Sequence, residues 1–169
     1  MNYFERFDLP VSFCPDQQLL KKKFFALSRQ YHPDFFTQEN ENSQAEALEI
    51  SSEVNKGYKI LQNSNETIKY VLQLKGMLEE DEKYILQPDF LMEMMELNEQ
   101  LMDAKMEGNA TELASIKKEI ATKESEIYLP VKQIIEASED RNMANDDLML
   151  VKDYYFKKKY LARILDTIV

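Results

Sequence analysis

The chain has 169 residues, enough for one ordinary domain or two small ones, and its 44% hydrophobic, 31% charged composition is that of a folded protein rather than a disordered one. Net charge is −10: residues 1–76 hold nine Lys/Arg against ten Asp/Glu, and residues 77–169 hold twelve against twenty-one. An acidic surface repels phosphate backbones, which argues against nucleic acid as a partner, and no apolar run approaches the ~18 residues that would argue for a membrane span.

Gly (3) and Pro (5) are scarce and strong helix formers fill long stretches, so the chain reads as all-α. One cysteine, Cys14, leaves no internal disulfide and no multi-cysteine zinc site, and points to a reducing compartment. The opening MNYFERFDLP lacks the pattern of a signal peptide or an Arg-rich transit peptide. The expected location is the bacterial cytoplasm, with the mitochondrial matrix the disfavoured alternative.

Residues 3–9 predict a short helix stopped by Pro10. A second helix starts near Asp16, an N-cap residue type, and runs to Tyr31, with Leu20, Phe24, Leu27 and Tyr31 on one face. Lys22 and Arg29 project from the opposite face, flanked by Lys21 and Lys23. Pro33 ends this helix, because the residue before a proline is pushed out of the α region. Polar residues 37–43 predict a loop, and 44–61 a third helix with Ala47, Ile50, Val54, Tyr58 and Leu61 on one face. Gly57 lies inside that helix, at a cost of roughly 1 kcal/mol relative to alanine. A short helix over 65–75 ends at Gly76.

The acidic, irregular stretch 76–87 is expected to be a linker. It separates an N-terminal domain, 1–75, from a C-terminal one, 88–169. Three helices are predicted in the latter, at 88–107, 110–137 and 144–168, forming a three-helix bundle. Gly108-Asn109 separates the first two, residues 138–147 the last two, and Pro130 should kink or split the middle one.

His32-Pro33-Asp34 occupies the turn between two amphipathic helices. Proline has a fixed φ and no N–H, so it stiffens the turn and displays two hydrogen-bonding side chains beside a cationic helix. A stiff polar protrusion of this kind suits docking on an acidic groove. The alternative is a catalytic acid–base pair, but no second histidine, serine elbow or phosphate loop accompanies it. Here the sequence resembles the J-domain family, which carries a basic second helix, Tyr-His-Pro-Asp (here Tyr31-His32-Pro33-Asp34) and an Asn-x-Ala-Tyr-x-x-Leu stretch on the third helix (here Asn55 to Leu61). The resemblance implies stimulation of a DnaK-type ATPase chaperone, with Lys22 and Arg29 on the docking face. Two positions depart from the family: Phe35-Phe36 follow the tripeptide where lysine is common, and Gly57 stands where alanine is usual.

In the second half, residues 88–107 carry two apolar stripes. Phe90, Met94, Leu97 and Leu101 form the obvious core face. Leu91, Met92, Met95, Met102 and Met106 cluster on another side, with Glu99 and Asp103 at its edge and Glu96 just beyond. A helix in a three-helix bundle normally buries one face, so the second stripe is surplus apolar surface rich in adaptable methionine. Burial against the N-terminal domain, the linker or a wider bundle face accounts for it equally well on periodicity alone.

Residues 90–97 (FLMEMMEL), the opening Asn2-Tyr3-Phe4 and the Tyr70–Gly76 stretch are similar to the HscB family of iron–sulfur co-chaperones. That resemblance implies that Leu91, Met92, Met95, Glu96, Glu99, Asp103 and Phe156 bind the iron–sulfur scaffold protein IscU, and that the ATPase is HscA-like. It implies a two-ended, non-enzymatic adaptor with no cofactor and, without the N-terminal cysteine module that some relatives carry, no bound metal. The competing expectations are a J-protein with a different client, a helical carboxylate metalloenzyme, and a purely structural helical protein. The metalloenzyme wants Glu-x-x-His pairs on facing helices, and His32, the lone histidine, is not in one.

Overall fold

The computed structural model describes residues 1–137 and 143–167. Residues 138–142 of the expected separator at 138–147, and residue 168 at the expected end of the last helix, lie outside the described residues. The described secondary structure is helical throughout: α1 (Tyr3–Arg6), α2 (Gln17–Gln30), a 3₁₀ turn (Pro33–Phe36), α3 (Glu41–Leu61), α4 (Ser64–Leu74), α5 (Pro88–Glu107), α6 (Ala110–Tyr128), a second 3₁₀ turn (Leu129–Val131), α7 (Lys132–Ile135) and α8 (Asn145–Asp166). The chain divides into two compact units. Met1–Leu74 forms the first, with residues from Ile135 grouped with it, and Lys75–Ile134 with the chain from Met143 forms the second.

Side-chain caps set where the helices begin. Asn2 and Glu5 form a reciprocal capping box on α1, with both bonds at 2.9 Å. Asp16 accepts from the Gln18 and Leu19 amides at 2.9 and 3.0 Å, and so satisfies two of the four orphan donors of α2. Asn40 caps α3 through the Ser43 amide, starting that helix at Glu41, three residues before the periodicity placed it. The expected loop at 37–43 is correspondingly shorter. α1 is also shorter than predicted: Asp8 has φ of 50°, and its carboxylate meets Lys23 at 2.6 Å. That attraction draws the Asp8 carboxyl below its ordinary range.

The first unit closes around Phe4, Phe7, Leu20, Ala47, Val54, Leu61, Ile68, Val71 and Leu72, all buried. α2 and α3 pack as a hairpin. At its base the Gln17 amide donates to the Leu61 carbonyl (3.0 Å), and further along Phe24 stacks on Tyr58 with centroids 3.9 Å apart. Toward the open end Ile50, Tyr58, Leu27 and Tyr31 are only half-buried.

In the second unit Phe90, Met94, Leu97, Leu101 and Ala104 of α5 pack with Ile116 and Ile120 of α6 and Leu161 and Ile164 of α8. Gly108, at φ of 66°, ends α5 in the left-handed conformation that glycine adopts without a Cβ clash, and Asn109 then caps α6 through Glu112. Pro130 splits the predicted helix 110–137 into α6, a 3₁₀ turn and α7, because it supplies no amide to continue the ladder. Within the expected linker Leu86 is buried in this core and Tyr84 packs against it. Glu82 pairs with Lys152 at 2.8 Å.

Gly57 is buried, and a Cβ built there would lie 2.7 Å from Cδ1 of Tyr3 and 3.0 Å from Cε2 of Phe7. The absent side chain is what lets α1 seat on α3. Gly57→Ala should therefore lower the melting temperature by several degrees. The roughly 1 kcal/mol gained in helix propensity is set against about 1–3 kcal/mol of overpacking around rigid rings. Thermal melts of the full chain check this, and an unchanged or raised melting temperature would mean that α1 accommodates the methyl group freely.

Candidate functional site

The first site is built by the end of α2. Tyr31 closes the helix, its amide donating to the Leu27 carbonyl at 3.0 Å, and is half-buried. His32 is then extended (φ −65°, ψ 129°), the conformation that a following proline enforces. Pro33 opens the 3₁₀ turn, a place where its missing N–H costs nothing. His32 caps that turn: its Nδ1 accepts from the Asp34 amide at 3.3 Å, and its carbonyl accepts from the Phe35 amide at 3.0 Å. This bond assigns the proton of the neutral imidazole to Nε2. The Asp34 carboxylate stands 3.6 Å from Nδ1. Both side chains are largely exposed, at 54% and 85%.

The cations of α2 divide into two groups. Lys23 is held by the Asp8 carboxylate and carbonyl. Lys21, Lys22 and Arg29 are exposed, with no ion pair among the described residues. Arg29, His32 and Asp34 line one shallow concavity with Phe25, Ser28 and Phe35. The structure thus brings three of the six expected docking residues around one depression. Lys22 lies two helical turns before Arg29 on the same side of α2. Among the described residues no group of three or more His, Cys, Asp or Glu side chains could hold a metal ion.

The second site lies on α5. Phe90, Met94, Leu97, Leu101 and Ala104 are buried, whereas Met92, Met95, Met102 and Met106 are exposed at 62%, 63%, 49% and 84%. With Glu99 these methionines follow the spacing three, four, three, four, a stripe roughly opposite the core face at about 100° per residue. Glu96, Glu99 and Asp103 are exposed along it.

Two residues expected in the exposed patch are not fully exposed. Leu91 and Phe156 are half-buried and pack against the core of the second unit. Leu91 sits at the border between the two faces of α5. The Phe156 ring is covered by Tyr84, stacked at 4.6 Å with the planes 7° apart, and is met edge-on by Tyr155 at 5.1 Å.

Tyr84 is the residue that the sequence reading passed over, because it sits in a stretch assigned as irregular linker. The apolar run Tyr84-Ile85-Leu86 inside an acidic segment was the available signal. Its hydroxyl donates to Asp153 at 3.0 Å. Burial, reinforced by the Asp153 carboxylate, pushes its ionisation up to about 12. Nearby in the bundle, Lys123 bridges Glu93 (2.6 Å) and Glu126 (3.5 Å). Burial opposes the Lys123 charge, but the two carboxylates outweigh it and its pKa is raised.

Comparison with known proteins bears on both units. A family model described as the HSCB C-terminal oligomerisation domain matches residues 86–169. A Vibrio cholerae protein named co-chaperone protein HscB homolog is 41% identical over 102 residues, 60% of each chain, so the match spans about three-fifths of that relative's length. The Buchnera aphidicola co-chaperone protein HscB is 38% identical over 125 residues, covering 73% of this chain and 72% of that one. The solved structure of chaperone HscB from Vibrio cholerae superposes with a TM-score of 0.74 at 26% identity, covering 99% of this chain and 95% of the other. The identity, the coverage and the all-helical fold agree: the chain belongs to the HscB co-chaperone family.

Proposed function

We propose that the chain is a two-ended adaptor. Its N-terminal J-domain docks on a DnaK-type, HscA-like ATPase and stimulates ATP hydrolysis there, while its C-terminal bundle carries the iron–sulfur scaffold IscU to that ATPase for cluster transfer. The cluster is cargo, and the hydrolytic chemistry belongs to the partner. The bacterial cytoplasm suits this role, and the free, exposed Cys14 is compatible with its reducing conditions.

The observation that carries the reading is the exposed His32-Pro33-Asp34 turn beside Lys22 and Arg29, which form no ion pair among the described residues. A rigid, polar knob next to cations in an otherwise acidic chain offers an acidic partner both electrostatic steering and a fixed orientation. The exposed methionine stripe supplies the second end. Thioether side chains adapt to a client surface, and the carboxylates of Glu96, Glu99 and Asp103 along it tune association rate and specificity. Leu91, at the edge of that stripe on α5, and Phe156, on α8, also pack against the bundle core.

Four outcomes are expected. His32→Gln should abolish stimulation of single-turnover ATP hydrolysis while changing stability by less than ~0.5 kcal/mol, since the side chain is exposed. Full stimulation by a folded His32→Gln protein would remove the docking assignment. Lys22→Ala with Arg29→Ala should raise the concentration needed for half-maximal stimulation, more at low ionic strength than at high, because exposed charges are screened by salt. A salt-independent loss would point to a packing defect instead.

On the client side, Met92→Ala with Met95→Ala should weaken scaffold binding in calorimetric titration by about 30- to 900-fold, at roughly 1–2 kcal/mol per anchor, with little change in melting temperature. Phe156→Ala should behave differently. It should cost on the order of 2 kcal/mol of stability, about half the value for a fully buried phenylalanine, as well as any loss of affinity. Equal stability effects of the two substitutions would contradict the exposures described above.

A further inference from the structure

The docking face assigned above consists of charged and polar groups, yet two large aromatic rings stand within it. Phe25 is 52% exposed and Phe35 is 69% exposed. Single exposed apolar residues are ordinary, but these two line the same concavity as Arg29, His32 and Asp34. Phe25 lies between Lys22 and Arg29 in a three-then-four spacing, so the ring is interleaved with the two cations on one side of α2.

Each ring has an aromatic neighbour. Phe25 contacts Phe24 at 5.6 Å, and Phe24 is itself stacked on Tyr58 of α3. Phe35 is fixed by the 3₁₀ turn, through the bond from its amide to the His32 carbonyl, and its ring meets the His32 imidazole edge-on at 6.1 Å. Aromatic side chains next to an arginine are the composition in which binding energy concentrates, and each ring has only two side-chain torsions to order on binding.

We propose that Phe25 and Phe35 select which DnaK-type ATPase this J-domain acts on, by inserting into an apolar recess that lies beside the acidic docking surface of the preferred partner. The inference rests on the docking role proposed above and names the chemistry of its partner. Three cations of α2 form no ion pair among the described residues (Lys21, Lys22 and Arg29) and the helix carries no carboxylate, so the surface that meets it is acidic. The rings are continuous with that face, so the recess belongs to the same partner. Charge complementarity is shared by every acidic ATPase surface. Discrimination comes from the rings, because an ATPase with polar groups opposite them must desolvate those groups without replacement hydrogen bonds.

The experiment titrates the full chain, as wild type, Phe25→Ala, Phe35→Ala, the double variant, Phe35→Lys and His32→Gln. The probes are an HscA-like ATPase and a general DnaK from the same organism, each followed by single-turnover ATP hydrolysis. For the HscA-like ATPase the double variant should raise the half-maximal concentration at least ten-fold with the plateau rate unchanged, and Phe35→Lys should reproduce most of that shift. For the general DnaK the shift should stay under two-fold. His32→Gln should remove the plateau on both.

Equal shifts on both ATPases, an unchanged half-maximal concentration, or a lowered plateau without a shift would each overturn the selection role while leaving docking intact. Stimulation that survives His32→Gln would instead remove the docking role, and this inference with it. Melting temperatures of the variants separate either result from misfolding.

Discussion

Position 33 has no amide hydrogen, and the geometry of the His32-Pro33-Asp34 turn depends on that. A residue with a free N–H could continue α2, and His32 and Asp34 would then project from a regular helix at angles set by the helix alone. Proline forbids this. It forces His32 into the extended region, opens a 3₁₀ turn, and leaves the imidazole to cap that turn through the Asp34 amide. The two side chains are thereby aimed by backbone geometry, with few contacts of their own, and remain exposed.

A stiff turn is useful only if the hairpin behind it is stiff. The α2–α3 hairpin is secured at its base by Gln17 on the Leu61 carbonyl and by the buried pair Leu20 and Leu61. Toward the turn the Phe24–Tyr58 stack takes over. Gly57 contributes by leaving room for Tyr3 and Phe7, so that α1 closes the core around α3. The open end, where Ile50, Leu27 and Tyr31 are only half-buried, is the end that carries the proposed docking residues. Burial is concentrated away from the site, and the site is left solvated and accessible.

The C-terminal unit solves a different problem, that of keeping an apolar surface exposed without losing a core. α5 does this by carrying two stripes on roughly opposite sides. Phe90, Met94, Leu97, Leu101 and Ala104 are enough to anchor it, and the methionine stripe is free to face solvent. The acidic side chains of Glu96, Glu99 and Asp103 among the methionines limit unproductive association, as the net negative charge of residues 77–169 does more broadly. The Tyr84–Phe156 stack and the Tyr84 to Asp153 bond bring the polypeptide before α5 onto α8.

The helical class, the breaks at Pro33 and Pro130, the Asp16 cap and the turn motif were legible in the sequence because each rests on local rules. The spacing of apolar residues, the fixed φ of proline and the side chain of an N-cap act within a few residues of chain. The core face of α5 and the basic face of α2 followed from the same periodicity. Only the tertiary structure decided how exposed each surface residue is. Periodicity reports the side of a helix on which a residue lies, and not what packs there: it could not tell that Tyr84 covers Phe156, that Leu91 borders the core, that Asp8 withdraws Lys23 from the cationic face, or that Phe25 and Phe35 share a concavity with His32. Those facts depend on contacts between residues distant in sequence, or on the course of an irregular segment, and no local rule specifies either.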